Sequence, residues 1–383
     1  MTMSAGSPAL WLHGQLHQDS ALSRSAAAQL GVQHLVSAGS PDEVAAVRDQ
    51  GLEPWLCLGA FTVAENEAHL LCQSLEGRQR TWFSSGCPSH PVLRQRLLDR
   101  VRDMAGWGAA GLLLDGIRFA SPFEGAETFL TCTCRWCAAL ASDKGLSLDR
   151  LAEGLRRLRD RLASLTADAL RRSLPGLRAP VDLLAFLDAS EEVGQWLQFR
   201  ADVISEAVTE VRAVLRATAP EMRLGAYVFT PSLAPLVGQD YARLGTSLDV
   251  LAPMIYRLGQ GPACLASEVT GLGTLLAAAP PADRDQAVLR FLGLEAASRP
   301  GAPLDQGLTL DAVSIEAGRA RARLSGRAEL VPILWLDDPE VAAATAAALT
   351  AAPEGVSFFA TGDSRFARLR EARDFLAGLP SLS

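Results

Sequence analysis

The sequence predicts an α/β fold of the (β/α)8 TIM-barrel class, and three observations carry that expectation. Eight short apolar runs, each of strand length, recur along nearly the whole chain with helical stretches between them. The runs are almost continuously apolar rather than alternating, as strands covered on both faces are. The length of 383 residues suits one large barrel, and 49% hydrophobic against 21% charged residues supplies an ample core. The expected organisation is one domain over residues 1–383.

The expected strands are residues 9–13, 34–37, 54–59, 110–119, 223–229, 248–255, 330–335 and 355–359. Right-handed βαβ connections make such a sheet parallel. The helices between them have readable ends. Ser40, Pro41, Asp42 and Glu43 form a capping box with proline at the first helical position, and Gly51 stops that helix. Pro91 opens a helix with Val92, Leu93, Leu97, Leu98 and Val101 on one face; Gly106 and Gly108 end it. Leu151, Leu155, Leu158, Leu162 and Leu165 form the stripe of another, closed by Pro175 and Gly176. Residues 191–218 read as a long helix with Trp196, Val203, Ile204, Val208 and Val211 facing the core. Asp338, Pro339 and Glu340 cap the helix after the seventh strand, and the last helix follows Asp363. The stretch from about 260 to 326 is too long for one helix and is broken at Pro262, Pro280, Pro281 and Pro300. It reads as an elaborated crossover after strand six, an inserted region of helices and loops.

A net charge of -7 argues against a nucleic-acid partner, which needs a positive field. No apolar run reaches the roughly 18 residues of a membrane span. The N-terminus lacks the cationic and apolar regions of a secretory signal. Seven cysteines are an odd number, and reduced thiols of a cytoplasmic protein are the expectation. A homo-oligomer is compatible with the sequence. Cys57, Cys72 and Cys264 stand alone among apolar neighbours and read as buried fillers.

Four further cysteines do not stand alone. Cys132, Cys134 and Cys137 form a C-x-C-x-x-C cluster, and Cys87 lies upstream, after the third strand unit. Four thiolates arriving in two groups suit a closed tetrahedral structural zinc site, which would pin loops rather than activate water. Disulfides and unrelated free thiols are the competing readings.

Asp115 lies near the end of strand four, followed by Gly116 and, at three residues' distance, Arg118. Active sites of these barrels gather at the carboxyl ends of the strands, so Asp115 is the first candidate acid and Arg118 a ligand-orienting group; a structural Asp–Arg pair is the bland alternative. Asp337 follows strand seven and is the candidate second carboxylate, whereas Asp338 is explained by helix capping. Tyr256 and Arg257 end strand six as a polar pair suited to ligand contact, and Trp335 is either a face for a sugar ring or a core tryptophan. His13 at the end of strand one is a further ligand-contact candidate. Tyr227 and Phe229 are wall or core residues. Glu124 and Glu127 read as solvated loop carboxylates, Glu295 as part of a helix or insert, His34 as structural, and Arg200 as a helix-surface or packing residue.

The arrangement of Cys87 with the C-x-C-x-x-C cluster after strand four resembles the zinc cluster of the family 42 β-galactosidases, in which one cysteine follows strand three and three follow strand four. The resemblance implies a (β/α)8 barrel with Cys87, Cys132, Cys134 and Cys137 as ligands of a structural Zn²⁺. The runs at 87–94, 111–119, 248–256 and 355–359 also look like those of a broader group of glycosidase-like barrels. That family carries an Asn–Glu pair at the end of strand four, and the matching stretch here is Leu114, Asp115, Gly116. β-Galactosidase activity is therefore not implied. The expectation is a glycoside hydrolase acting on an oligosaccharide through Asp115 and Asp337, with Arg118, Tyr256, Arg257, Trp335 and His13 binding the sugar. A carbohydrate-binding barrel without turnover is the alternative, and a metal-dependent hydrolase with one cysteine unligated is a third.

Overall fold

The computed structural model describes residues 8–13, 20–37, 39–173, 191–299, 301–359 and 365–377. Eight parallel strands run in chain order around a closed barrel: β1 (Ala9–His13), β2 (His34–Ser37), β3 (Glu53–Gly59), β4 (Gly111–Asp115), β5 (Arg223–Phe229), β6 (Val250–Met254), β7 (Ile333–Trp335) and β8 (Gly355–Phe359). β8 returns to pair with β1, and Ile333 of β7 pairs with Met254 of β6, which closes the ring. A short strand, Glu329–Leu330, pairs with the start of β6 and shares the seventh position. The expected 330–335 strand is thus split, and the break falls at Val331 and Pro332, where proline has no N–H to give a ladder. The expected 110–119 strand stops at Asp115, because Gly116 turns the chain with φ +66°.

Alternation along each strand sorts side chains into two sets. On β1, Leu10 and Leu12 pack outward against the helices, while Trp11 and His13 face the barrel axis. The inward residues fill layers. At the amino-terminal mouth Trp11 stacks on His34 at 4.0 Å and meets Trp55 edge-on at 4.7 Å. The Trp55 ring lies over Gly111, where a Cβ would meet it at 2.3 Å. His34 also pairs with Glu53 at 3.0 Å, so it is a structural residue far from the opposite rim. At the carboxyl-terminal mouth the inward set is His13, Gly59, Asp115, Tyr227, Met254 and Phe359.

Helices cover the outside: α1 (Ser20–Gln29), α2 (Pro41–Arg48), α3 (Pro91–Ala105), α4 (Arg135–Asp143), α5 (Leu148–Ala163), α6 (Glu191–Thr218) and α7 (Tyr241–Ser247). Ser40 caps α2 by accepting from the Glu43 N–H at 3.3 Å. On α3 the buried face is Leu93, Leu97, Val101 and Met104; Val92, expected there, points to solvent because the 93–97–101 spacing turns it away. α6 buries Trp196, Val203, Ile204, Val208 and Val211 as expected. α5 ends at Ala163, and Pro175 and Gly176 lie outside the described residues, as does Asp363.

Between β6 and β7 stand α8 (Leu265–Gly273), α9 (Pro281–Leu292) and α10 (Asp311–Arg323), which fill the elaborated crossover. α11 (Val341–Leu349) and α12 (Arg365–Ala377) complete the chain. Asp338 lies ahead of α11 rather than at its cap, and its Oδ1 accepts from the Glu340 N–H at 2.8 Å. No described helix is long and apolar enough to cross a membrane.

Candidate active site and metal centre

A cavity of about 420 Å³ opens at the carboxyl-terminal mouth of the barrel. That volume lies within the roughly 300–1,000 Å³ of small-molecule sites. Its wall brings together five of the expected site residues: His13, Asp115, Arg118, Tyr256 and Trp335. Trp82, Phe83, Tyr227, Phe229 and Phe359 line it as well. A larger concavity, of about 600 Å³, lies between the outer faces of α6 and α7 and involves none of the strand ends.

Asp115 is the last residue of β4, and inward alternation aims it into the cavity. Its Oδ1 accepts from the Gly116 N–H at 2.7 Å. Solvent reaches it through the mouth, yet the barrel wall surrounds it. That enclosure raises its carboxyl above the ordinary value, against the opposing pull of the Gly116 N–H and of Arg118. Among the described residues lining the cavity it is the one carboxylate.

Arg118 does not pair with Asp115. Its Nη2 donates to Glu124 Oε1 at 2.9 Å and its Nη1 to the Phe119 carbonyl at 3.0 Å, while its guanidinium lies over the Phe229 ring at 5.0 Å. Glu124 was expected in solvent; instead its side chain is 8% exposed and closes a capping box with Ser121. Ser121 Oγ in turn lies 2.8 Å from Glu268 Oε1 of α8. Glu268 also accepts the N–H groups of Phe123 and Ala263, at 2.9 Å each. This buried chain of groups fixes where Arg118 stands. Glu127 behaves as a surface carboxylate and pairs with Arg78 and Arg80.

Across the mouth, the Tyr227 hydroxyl meets His13 Nδ1 at 2.5 Å. Burial lowers the His13 pKa to about 4, so the imidazole is neutral near pH 7. His13 stacks on Phe359 at 5.1 Å, Phe359 lies against Trp335 at 5.4 Å, and Trp335 meets Tyr256 edge-on at 5.5 Å. One side of the cavity is therefore an aromatic wall with polar tips, a surface suited to sugar rings. Tyr227 and Phe359 both fall on the inward register of their strands.

Two expected site residues stand elsewhere. Arg257 follows Tyr256, and alternation turns it to the opposite side of the chain. It is 2% exposed, and it grips Asp338 through Nε at 2.6 Å and Nη2 at 2.5 Å and the Leu308 carbonyl through Nη1 at 2.9 Å. It is a buried clasp between the β6 and β7 ends, not a ligand contact. Asp337 is half-buried and absent from the cavity wall, because the chain turns after Trp335, with the Asp338 N–H bonded to the Trp335 carbonyl at 3.2 Å. Glu295 is exposed and pairs with Arg290 at 3.4 Å.

The cysteines converge as expected. Cys87 comes from the segment between β3 and α3, and Cys132, Cys134 and Cys137 from the segment between β4 and the first turn of α4. The four sulfurs all lie within 4.8 Å of one another, with Cys87 Sγ 3.6 Å from Cys134 Sγ and 3.5 Å from Cys137 Sγ. A zinc–sulfur bond of about 2.3 Å places tetrahedral sulfurs roughly 3.8 Å apart, so the donor set fits zinc. The Gln73 N–H donates to Cys132 Sγ at 3.2 Å, and Ser89 Oγ lies 3.3 Å from Cys137 Sγ, the support that ligating sulfurs need. Cys72, read as an isolated filler, lies beside this cluster: Cys87 and Cys132 act on its thiol, which burial pushes up. None of the four cluster cysteines lines the cavity. A metal held there would pin the loops after β3 and β4 and would not reach a ligand.

No protein-family model matches the chain, and no curated protein matches it. Solved structures do. A β-galactosidase from the psychrophilic Marinomonas ef1 superposes with a TM-score of 0.54 at 13% identity, covering 97% of this chain and 62% of that one. The shared fold is the (β/α)8 barrel. The β-galactosidase of Bacillus circulans sp. alkalophilus gives a TM-score of 0.51 at 11% identity, over 97% of this chain and 56% of that one. The catalytic mutant of Gan42B, a GH42 β-galactosidase from G. stearothermophilus, gives 0.52 at 11% identity, over 98% and 57%. The chain spans about three fifths of the length of these proteins. At such identities the shared feature is the barrel itself, and barrels host many chemistries.

Proposed function

We propose that this glycoside-hydrolase-like barrel is a glycoside hydrolase: it binds a carbohydrate in the carboxyl-terminal cavity, and Asp115 protonates the glycosidic oxygen of the bond that is cleaved. The observation that carries the reading is a solvent-reachable carboxyl with a raised pKa at the end of β4, facing an aromatic wall. Glycosidic cleavage needs a proton donor to the leaving oxygen, and a carboxyl that holds its proton to higher pH performs that step. Tyr256 and Trp335 would stack on the sugar, the Tyr227–His13 pair would bond its hydroxyls, and Arg118 would bear on the polar edge. Zn²⁺ on Cys87, Cys132, Cys134 and Cys137 would fix the loops that carry Trp82 and Arg118.

Hydrolysis also needs a nucleophile or a base, and Asp337, the second carboxylate proposed from the sequence, stands off the wall. That observation favours a second reading, a carbohydrate-binding barrel without turnover. A panel of aryl glycosides and oligosaccharides, assayed for both cleavage and binding, separates the two. Cleavage supports the hydrolase; binding with no cleavage supports the second reading; neither binding nor cleavage rejects both.

A further inference from the structure

Arg200 stands on α6 with its side chain 1% exposed, and the proposed mechanism makes no use of it. Its Nη2 donates to the carbonyls of Phe129 and Thr131, and its Nη1 to that of Leu236. The rings of Trp196, Phe119 and Phe129 surround its Cζ at 3.9, 4.8 and 5.5 Å. These bonded partners are neutral: three carbonyls and three rings, with no carboxylate among them. Thr131 immediately precedes Cys132, so the guanidinium is bonded to the residue beside a cluster cysteine.

A buried guanidinium without an anion is costly, because carbonyl dipoles solvate the charge but do not neutralise it. The cysteine cluster has the opposite need. Zn²⁺ on four thiolates is a dianion, and Cys87, Cys132 and Cys137 are buried. Each group supplies what the other lacks.

We infer that Arg200 is the counter-ion of the tetrathiolate metal centre and ties the ligand-bearing segment 129–132 to α6. The inference rests on the reading that the four cysteines hold zinc. Arg200 touches no ligand in the cavity; it is a positioning residue for the metal site.

The test is zinc affinity, measured by competition with a chromophoric chelator on the full chain, for the wild type, Arg200→Lys and Arg200→Met. The wild type is expected to hold about one zinc per chain. Arg200→Met is expected to bind zinc at least about tenfold more weakly, and Arg200→Lys, which keeps the charge but loses the guanidinium fork that bonds the carbonyls, to lie between that variant and the wild type. Arg200→Met with wild-type affinity overturns the inference, as does Arg200→Lys weakened as much as Arg200→Met, because charge is then not the property that matters. If Arg200→Met fails to fold, Arg200→Lys decides, and a loss of about tenfold in it overturns the inference. A wild type that binds no zinc rejects the metal reading itself, an outcome distinct from variants that match a zinc-binding wild type.

Discussion

The Tyr227 hydroxyl lies 2.5 Å from Nδ1 of His13 and joins β5 to β1 across the barrel mouth. The His13 imidazole is neutral near pH 7, because burial lowers its pKa from 6.5 to about 4. The unfolded chain therefore binds more protons than the folded one between those values. Stability rises with pH through that window and is lost as pH falls from 6.5 towards 4. The loss attributable to this group is at most about 3 kcal/mol. Chemical denaturation across pH 4–7 should show a shallower acid slope for His13→Gln than for the wild type; parallel slopes would mean that His13 is not held neutral.

Ser121 Oγ lies 2.5 Å from Glu124 Oε2 and 2.8 Å from Glu268 Oε1, and one hydroxyl hydrogen cannot serve both carboxylates. Burial, with Glu124 nearby, raises the Glu268 pKa from 4.5 to about 7. Here the folded chain holds a proton that the unfolded chain releases. This group therefore costs stability as pH rises from 4.5 through 7, up to roughly 3 kcal/mol. Glu268→Gln should remove that downward slope from the stability profile, and a slope unchanged in the variant would place the proton elsewhere.

Arg257 and Asp338 form a buried two-pronged ion pair behind the cavity wall. Removing one partner of such a pair costs about 3–5 kcal/mol, because the other charge is left buried alone. Arg257→Met should lower the urea midpoint strongly and leave sugar affinity of the folded protein near that of the wild type. A weakened affinity without lost stability would return Arg257 to the ligand site.

These residues show what was legible beforehand. The strand ending at Phe229 was readable to the residue, because its apolar run stops at the polar Thr230. The carboxyl-terminal ends of the strands also located His13, Asp115, Tyr256 and Trp335 on one rim. Arg257 and Tyr256 look alike as a polar pair after an apolar strand, and only alternation separates them: Tyr256 takes the inward side and Arg257 the outward one. Asp337 has the inward register but sits past a turn that the sequence does not announce. Partners distant in sequence were invisible, among them His13 with Tyr227, Glu268 with Ser121, and Cys72 with the cluster cysteines. The four cluster cysteines were legible because ligand spacing is local for three of them, and the barrel topology brings loops β3 and β4 together.

Cys134 is the half-buried member of that cluster, so replacing it disturbs packing less than replacing Cys87 or Cys137. Cys134→Ser should lose the bound zinc and, with it, several degrees of Tm, on the order of 2 kcal/mol or more in stability. Elemental analysis beside a thermal melt checks both. A wild-type melting point that does not change on chelation would remove the metal from the account.

The central claim is that Asp115 supplies the proton for glycosidic cleavage, and the direct measurement is turnover and sugar binding by Asp115→Asn beside the wild type. The account predicts that the wild type cleaves at least one glycoside of the panel. The variant should lose at least about 10²-fold in kcat, as removal of a general acid does, while it binds the same sugar and melts at or above the wild-type temperature. An Asp115→Asn protein that turns over like the wild type would contradict it.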